Sequence, residues 1–331
     1  MRTYLIRRFL LIIPTFIGIT LITFFVLQLA PGNPVYIMLQ QHGGAIAADA
    51  ATQEIIEQTR AQFGLDRPIW QQYISWLGDL MRLDFGTSFR DGRPVIDKIM
   101  ERLPVTLELS LISIFLTYLI SVPIGVYSAT HQRTWGDTVT TVTLFILYSM
   151  PSFWAAMLLI FFFGGGQFLN WFPVHGIQSI GAEGLPWHRW LIDHIWHLVL
   201  PVFCLTYTGL AVLSRYARAG MVDVIRQDYI RTARAYGFSE KVVVFKYALR
   251  NSLIPIITLA ATLLPALISG SVIIERIFSI PGMGRLAFEA VLTRDYPVIM
   301  GILAISAVLT LIGLIISDIL YAVADPRIRF E

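Results

Sequence analysis

Cysteine and charged residues are both scarce in this chain of 331 residues. The single cysteine, Cys204, excludes an intrachain disulfide, and its place in an apolar run favours a small buried side chain over a reactive thiol. Charged residues make up 14% of the chain and hydrophobic residues 56%, whereas a soluble domain is about 25% charged. The composition therefore excludes a soluble globular domain and predicts an integral membrane protein.

Motifs that bind ATP or carry out hydrolysis are also absent from the sequence. It has no phosphate-binding loop of the form Gly-xxxx-Gly-Lys-Ser/Thr, no Gly-x-Ser-x-Gly and no His-Glu-x-x-His. We therefore expect neither ATP binding of this type nor enzymatic activity. Energy for any active process has to come from another polypeptide.

Six apolar runs are long enough to cross a membrane, which takes about 20 residues. They lie at 9–30, 105–129, 138–163, 196–214, 252–274 and 297–323. The first run follows two arginines, as in a signal peptide, but it exceeds the apolar core of about 7–15 residues found there, so we expect a retained span. The pattern predicts an all-α polytopic membrane protein with six transmembrane helices.

Basic residues orient these spans, because loops rich in Lys and Arg stay in the cytoplasm. With the two termini, the loop at Arg133 and the segment 215–250 placed inside, the inner side holds 14 Lys and Arg, whereas the two short outer loops hold four. Both termini are therefore predicted to be cytoplasmic. The chain then divides into an N-terminus with the first span (1–30), an extracytoplasmic helical insertion (31–104), a five-span core (105–323) that includes a cytoplasmic segment (215–250), and a cytoplasmic tail (324–331).

The cytoplasmic segment 215–250 carries eight Lys and Arg against three acidic residues. Three of its residues recur on one face of a predicted short helix: Tyr229, Ala233 and Tyr236. Gly237 is expected to end this helix in a left-handed cap, and Ser239 to cap a second helix. A helix, glycine turn and helix have the shape of a docking element for a soluble partner. The alternative is a basic loop that only sets the topology.

The stretch DYIRTARAYGF at 228–238, followed by ALRNSLIP at 248–255, resembles the coupling loop of ABC-importer permeases of the dipeptide/oligopeptide/nickel group. In that family the loop fits a groove on the ATP-binding subunit, and its general pattern is Glu-Ala-Ala, three residues, Gly. This chain replaces the Glu and the first Ala. The resemblance implies ATPase-coupling roles for Tyr229, Arg231, Thr232, Ala233 and Gly237. We call residues 215–250 the coupling segment.

Further blocks resemble the B-type permease subunit of the same group and extend over essentially the whole chain. They are YLIRRFLLIIPT at 4–15, APGNP at 30–34, FGTSF at 85–89, LPVTLEL at 103–109, SMPSF at 149–153, ERIFSIPGMG at 275–284, RDYP at 294–297 and DPR at 325–327. The resemblance implies the type I ABC importer transmembrane-domain fold in a bacterial or archaeal inner membrane.

The same resemblance implies a function and a set of partners. The chain would form half of a transmembrane path for dipeptides or oligopeptides. Its partners would be a second homologous permease, two ATP-binding subunits, an extracytoplasmic solute-binding protein and membrane lipid. ATP and magnesium would bind in the partner subunits, with no cofactor in this chain. Related permeases also import nickel chelates, glutathione and some sugars, which stay open as alternatives.

Two regions carry candidate sites of other kinds. In the run 252–274, Pro265, Ser269 and Ser271 are pore or gate candidates, although small residues there also suit close helix packing. In the outer insertion, apolar residues with helical spacing predict an amphipathic helix that rests on the membrane surface or helps to receive the binding protein. Trp70 and Tyr73 are the candidates for that docking.

Two functions from other classes are weighed against the importer. A proton-coupled carrier would show a carboxylate near the middle of the membrane, whereas Glu108 and Asp318 lie near span ends. A membrane enzyme or metal site would use His194 and His197 beside Asp193, but this spacing is weak without a further ligand.

Overall fold

A computed structural model describes residues 2–29, 66–164, 168–253 and 270–324, with the isolated residues 57, 256 and 259. In these ranges helices form nearly all the regular structure, beside one short β-bridge between Thr87 and Pro94. The helices are α1 (Arg2–Leu29), α2 (Ile69–Met81), α3 (Val95–Thr130), α4 (Trp135–Ser149), α5 (Ser152–Leu159), α6 (Trp187–Ile225), α7 (Asp228–Ala235), α8 (Glu240–Val242), α9 (Leu249–Ser252), α10 (Val272–Ile277), α11 (Met283–Thr293) and α12 (Tyr296–Ala324).

Four of these helices are long and apolar enough to cross a membrane, namely α1, α3, α6 and α12, and α4 with α5 forms a fifth, bent candidate. These five coincide with five of the six predicted runs. The run at 252–274 lies largely outside the described residues, as do the pore candidates Pro265 and Ser269. The helical membrane fold is confirmed, and the count of six spans stays a prediction.

The run predicted at 138–163 is not one straight helix, because the chain bends by 96° between α4 and the helical stretch after it. The break lies at Met150 and Pro151. Proline lacks a backbone N–H and forces the preceding residue into an extended conformation, here with ψ 121° at Met150. The Tyr207 hydroxyl on α6 donates to the freed carbonyl of Met150 at 2.9 Å.

Helices α3 and α6 are longer than the predicted runs at 105–129 and 196–214. They contain 36 and 39 residues, which corresponds to about 54–58 Å and exceeds the apolar thickness of a bilayer, about 30 Å. The first eleven residues of the coupling segment, 215–225, belong to α6 and are helical. The helices extend beyond the predicted spans, because charged residues on a projecting helix end look like a loop in sequence.

Helices α3 and α6 approach closely at small residues. A Cβ atom on Gly125 would lie 2.4 Å from the Cβ of Ala217 and 2.7 Å from the carbonyl oxygen of Ser214. The Ser121 hydroxyl donates across the same interface to the Leu210 carbonyl at 3.3 Å. Membrane helices associate through small residues and interhelical hydrogen bonds in this way. The interface fixes α6 against α3.

We predict that Gly125→Ala lowers the free energy of unfolding by about 1–3 kcal/mol, because the added methyl group meets backbone atoms that move only if the helices separate. Thermal unfolding of the purified protein in detergent measures this effect. Gly18→Ala in α1 is the matched control, since nothing lies within 4 Å of its Cβ position. Equal melting temperatures for the two variants would contradict the packing account.

Candidate functional site

A buried apolar cluster beneath α7 holds this short helix against the end of α6. Ile230 is fully buried and Ala233 nearly so, and both belong to one cluster with Met221 of α6 and Val243. Sequence reasoning placed Tyr229, Ala233 and Tyr236 on a common face and missed Ile230. The structure buries Ile230 together with Ala233, whereas Tyr229 and Tyr236 are exposed. A displacement of α7 therefore acts directly on the end of α6.

The predicted coupling residues divide into exposed and buried groups. Tyr229, Arg231 and Thr232 are exposed. The Tyr229 hydroxyl accepts a hydrogen bond from the Asn251 amide at 2.7 Å, and the Thr232 hydroxyl donates to the backbone of its own helix. Ala233 is buried, so it contributes packing beneath α7 and presents no surface to a partner.

Gly237 ends α7 with φ of +79°, as predicted for a left-handed cap. Its N–H donates to the Arg234 carbonyl at 2.9 Å, and the Phe238 N–H donates to the Ala233 carbonyl at 3.4 Å. This pair of bonds satisfies carbonyls at the end of the helix. Nothing lies within 4 Å of the Cβ position of Gly237, so the turn offers an open surface.

The second helix of the coupling segment starts where the sequence predicted, but its cap differs. Ser239 has the extended backbone of a capping residue, yet its side chain makes no capping hydrogen bond. Glu240 reaches back across the turn instead, and its carboxylate accepts from the Arg234 guanidinium at 2.8 and 3.2 Å. This charge pair links the end of α7 to the start of α8, and the expected serine cap is not formed.

At the other end of the bundle, a buried carboxylate organises the ERIFSIPGMG block. Glu275 is 2% exposed. One carboxylate oxygen accepts from the Arg285 N–H at 2.8 Å, and the other from the Thr106 hydroxyl at 3.2 Å and the Ser271 N–H at 3.3 Å. Thr106 also accepts from the Met283 N–H at 2.7 Å. The carboxylate thus joins α3, α10 and α11.

Three glycines make room for this carboxylate. Cβ atoms on Gly270 and Gly282 would lie 2.3 and 2.5 Å from the Glu275 carboxylate, and one on Gly284 would lie 2.7 Å from the backbone nitrogen of Val272. We call Glu275 with these glycines and its donors the carboxylate cradle. Sequence reasoning interpreted the block as a turn and missed Glu275; the available signal was an acidic residue at the end of an apolar run with glycines on both sides.

A second buried carboxylate joins the FGTSF and RDYP blocks. Asp295 is 2% exposed; it accepts from the Ser88 hydroxyl and from the Phe89 N–H at 3.0 Å. Lys98 of α3 donates to Ser88 at 3.0 Å and to Asp91 at 2.8 Å. Burial acts to raise the pKa of Asp91, but the hydrogen bonds from Lys98 and Ser88 outweigh it and hold this pKa below its ordinary value.

The structure also describes the remaining pore candidate, Ser271, and the docking candidates Trp70 and Tyr73. Ser271 caps α10, accepting from the Ile274 N–H at 3.4 Å directly after Gly270 with φ of +63°. Trp70 is 60% exposed. Tyr73 is buried, and its hydroxyl lies 3.0 Å from the Thr20 hydroxyl of α1.

The burial of Tyr73 corrects its assignment to a docking surface. The Tyr73 ring packs against Phe24 of α1 at 5.4 Å between ring centroids, whereas Trp70 on the same helix stays exposed. The docking prediction stays a prediction for Trp70 alone.

The histidines considered for a metal site or an enzyme contact other groups of the protein itself. His194 contacts the Ile177 carbonyl at 2.8 Å and the Glu108 carboxylate at 2.7 Å with its two ring nitrogens. His197 contacts the Asp193 carbonyl at 2.7 Å. Across the described ranges, no three His, Cys, Asp or Glu side chains converge as a metal site would require. The side chain of Asp318 lies outside the described set.

A cavity of about 780 Å³ lies between α4 and the half of α6 that leads to the coupling segment. Phe145, Tyr148 and Val212 supply part of its apolar wall. Its charged residues are Arg215, Arg218 and Asp223. The Arg218 guanidinium donates to the buried Asp137 of α4 at 2.8 Å, so this pair ties the two helices together. We call this space the α4–α6 cavity.

These features define a helical membrane protein whose long helix α6 is followed by a short helix and a glycine turn. The chain belongs to the family of binding-protein-dependent transport system inner membrane components: the family model matches residues 121–330, and a model for the N-terminal part of such components matches residues 1–110. It is therefore a transport subunit of an ABC importer and not an enzyme, as the sequence predicted.

Curated relatives match the chain over its full length. The oligopeptide transport system permease protein AppB of Bacillus subtilis is 44% identical over 331 residues, covering 100% of both chains. The dipeptide transport system permease protein DppB of Alkalihalophilus pseudofirmus is 37% identical over 344 residues, again covering 100% of both. The inner membrane ABC transporter permease protein YejB of Escherichia coli O157:H7 is 36% identical over 362 residues, also with 100% of both covered.

A solved structure of the MetNI methionine ABC transporter in inward-facing conformations has the same fold. The match has a TM-score of 0.52 at 16% identity and covers 70% of this chain and 97% of that one. The likeness concerns the fold alone. It confirms the predicted class of ABC importer transmembrane domain.

We predict that Glu275→Gln destabilises the protein by about 1–3 kcal/mol, because the amide nitrogen cannot accept from the donors that the second carboxylate oxygen serves. Glu289→Gln is the matched control one helical turn from the cradle, where an exposed pair with Arg285 contributes little. Thermal unfolding in detergent compares the two. The cradle account is wrong if Glu275→Gln unfolds at the wild-type temperature.

Proposed function

We propose that this chain forms half of the transmembrane path of an importer for dipeptides or oligopeptides. The coupling segment carries the proposal, because α7 and its Gly237 turn give an open docking surface whose buried side is packed on α6. The names of the AppB and DppB relatives support peptides as the cargo. A second homologous permease would complete the path, two ATP-binding subunits would supply the energy, and a solute-binding protein would deliver the peptide.

The proposed cycle follows from the contacts around α6. ATP and magnesium bind in the ATPase subunits, and their closure pushes on α7. Because Ile230 and Ala233 pack on Met221, this push reaches α6. The ion pair of Arg218 with Asp137 passes it on to α4. The α4–α6 cavity then changes shape while the cradle holds the far ends of α3, α10 and α11 together, and the path switches from inward-facing to outward-facing.

The proposed orientation puts the coupling segment and both termini in the cytoplasm of a bacterial or archaeal cell and the cradle at the outer surface. The basic residues of the coupling segment support it. The exposed Trp70 then lies on the side from which the binding protein approaches. Because that soluble protein selects the cargo, this chain is expected to accept peptides of varied side chains.

We predict that Gly237→Asp abolishes ATP-driven peptide uptake while the protein still inserts and assembles. Aspartate tolerates the left-handed backbone better than most residues, so the fold survives, but a charged side chain then stands on the docking surface. Uptake by the reconstituted complex with its binding protein measures the effect.

Gly181→Asp is the matched control for this experiment. Gly181 has a similar φ of +85° and an equally open Cβ position, but it lies far from the coupling segment in the chain. We expect uptake close to wild type for this variant. Wild-type uptake by Gly237→Asp would overturn the assignment of the coupling surface.

A further inference from the structure

Two charges on the wall of the α4–α6 cavity have no ion-pair partner among the residues that the structure describes. Arg215 lies over the ring of Phe145, with 5.4 Å from its guanidinium carbon to the ring centroid. Asp223 lines the same cavity and is exposed. The third charge, Arg218, differs because its guanidinium is bound to Asp137. The bond to Asp137 therefore explains the presence of Arg218 in the cavity wall, whereas Arg215 and Asp223 are available to bind a ligand.

Arg215 is exposed and follows directly after the predicted span 196–214. It lies ten residues before the end of α6, about 15 Å from that end, among apolar and aromatic side chains. A charged group that faces a cavity along a transport path can bind ions or substrates. The guanidinium group presents several donors in a planar fork that matches a carboxylate. The cavity therefore offers a site for a carboxylate that is not part of the described chain.

The backbone positions of these two residues have a defined spacing. Arg215 and Asp223 are eight residues apart on one continuous helix, which is about 12 Å along its axis. An extended peptide spans about 3.3–3.6 Å per residue, so the charged ends of a tripeptide or tetrapeptide lie at a comparable distance. The cavity volume of about 780 Å³ falls in the range of ligand sites, about 300–1,000 Å³.

We infer that the α4–α6 cavity is a transient site for short zwitterionic peptides of about three or four residues. Arg215 binds the terminal carboxylate, and Asp223 binds the terminal ammonium group. The apolar wall accepts side chains without selecting among them. This inference rests on the proposed peptide import and adds which chemical groups of the cargo the permease itself recognises.

The contacts around the site link it to the proposed cycle. Arg215 and Asp223 flank Arg218, whose bond to Asp137 joins the two helices that form the cavity. Met221 lies between the same charges in sequence and packs beneath α7. A movement of the coupling segment therefore changes the cavity that holds the peptide, so binding and release can follow the ATPase cycle.

The test measures ATP-driven uptake of a pool of tripeptides and tetrapeptides with free termini, analysed by mass spectrometry, in proteoliposomes that contain the complete complex and its binding protein. Arg215→Gln and Asp223→Asn are expected to lower the initial uptake rate about tenfold, as expected when a charged hydrogen bond to the cargo is lost. The matched controls Arg189→Gln and Glu183→Gln remove exposed charges at the other end of α6 and should keep the wild-type rate.

A charge exchange distinguishes the cargo from other partners of Arg215. Arg215→Asp and Asp223→Arg should each block uptake, and their combination should recover it to within about threefold of wild type, because a peptide can bind the reversed pair in the opposite direction. Assembly of each complex is checked by size-exclusion chromatography. A combined variant as inactive as the single ones would mean that Arg215 contacts the second permease or an anionic lipid, which overturns the inference.

The remaining outcomes separate this inference from the proposed function. If the wild-type complex takes up no peptide, peptide import itself is contradicted. If the wild type takes up peptides and both Arg215→Gln and Asp223→Asn match it, import stands and the two-charge site is wrong.

Discussion

The continuity of α6 is the constraint on which the rest of this structure depends. A single helix of 39 residues carries the contacts of His194 at one end and packs beneath α7 through Met221 at the other. Between them it packs on α3 at Ala217 and lines the α4–α6 cavity. Met221, Ala217 and the α6 residues of the cavity wall all follow Pro201 on this helix, so in the proposed cycle a partner that pushes on α7 acts on the cavity wall.

The carboxylate cradle is a fixed point against which such a movement takes place. Among the described residues, Glu275 is stabilised by hydrogen bonds from N–H groups and a hydroxyl, while the Arg285 guanidinium pairs with Glu289. Hydrogen bonds to a charged group are each worth about 1.5–3 kcal/mol, and leaving a buried carboxylate without them is strongly unfavourable. Ile274 and Phe278, on either side of Glu275, pack in one core cluster with Leu198 of α6. The cradle therefore packs firmly against this end of α6.

Much of this architecture is predictable from sequence because it depends on local patterns. Apolar length predicts the spans, and the i, i+4 spacing before Gly237 predicts a short helix and its left-handed cap. The sequence indicated the bend at Pro151 less clearly, because the apolar residues continue on both sides of it. Hydrophobicity alone does not show in which direction a helix runs. Charged residues hid the extension of α6, since Arg215 and Arg218 look like loop residues until the cavity and Asp137 are placed beside them.

The contacts that sequence reasoning missed are those between distant parts of the chain. Glu275 meets Thr106 across 169 positions, and Asp295 meets Ser88 across 207. No periodicity connects such residues. Tyr73 shows the same limit, because its spacing predicts an apolar face but not whether α1 or a soluble partner covers it. Ile230 was missed because the tyrosines nearby gave an equally good helical face.

The most direct test of this account is affinity purification of the chain from its native membrane, followed by mass spectrometry of the proteins that accompany it. We predict recovery of a homologous permease and of ATP-binding subunits. A chain that is repeatedly recovered alone from mild detergent, folded and able to transport peptide by itself in vesicles, would contradict the claim that α7 couples this permease to separate ATPases.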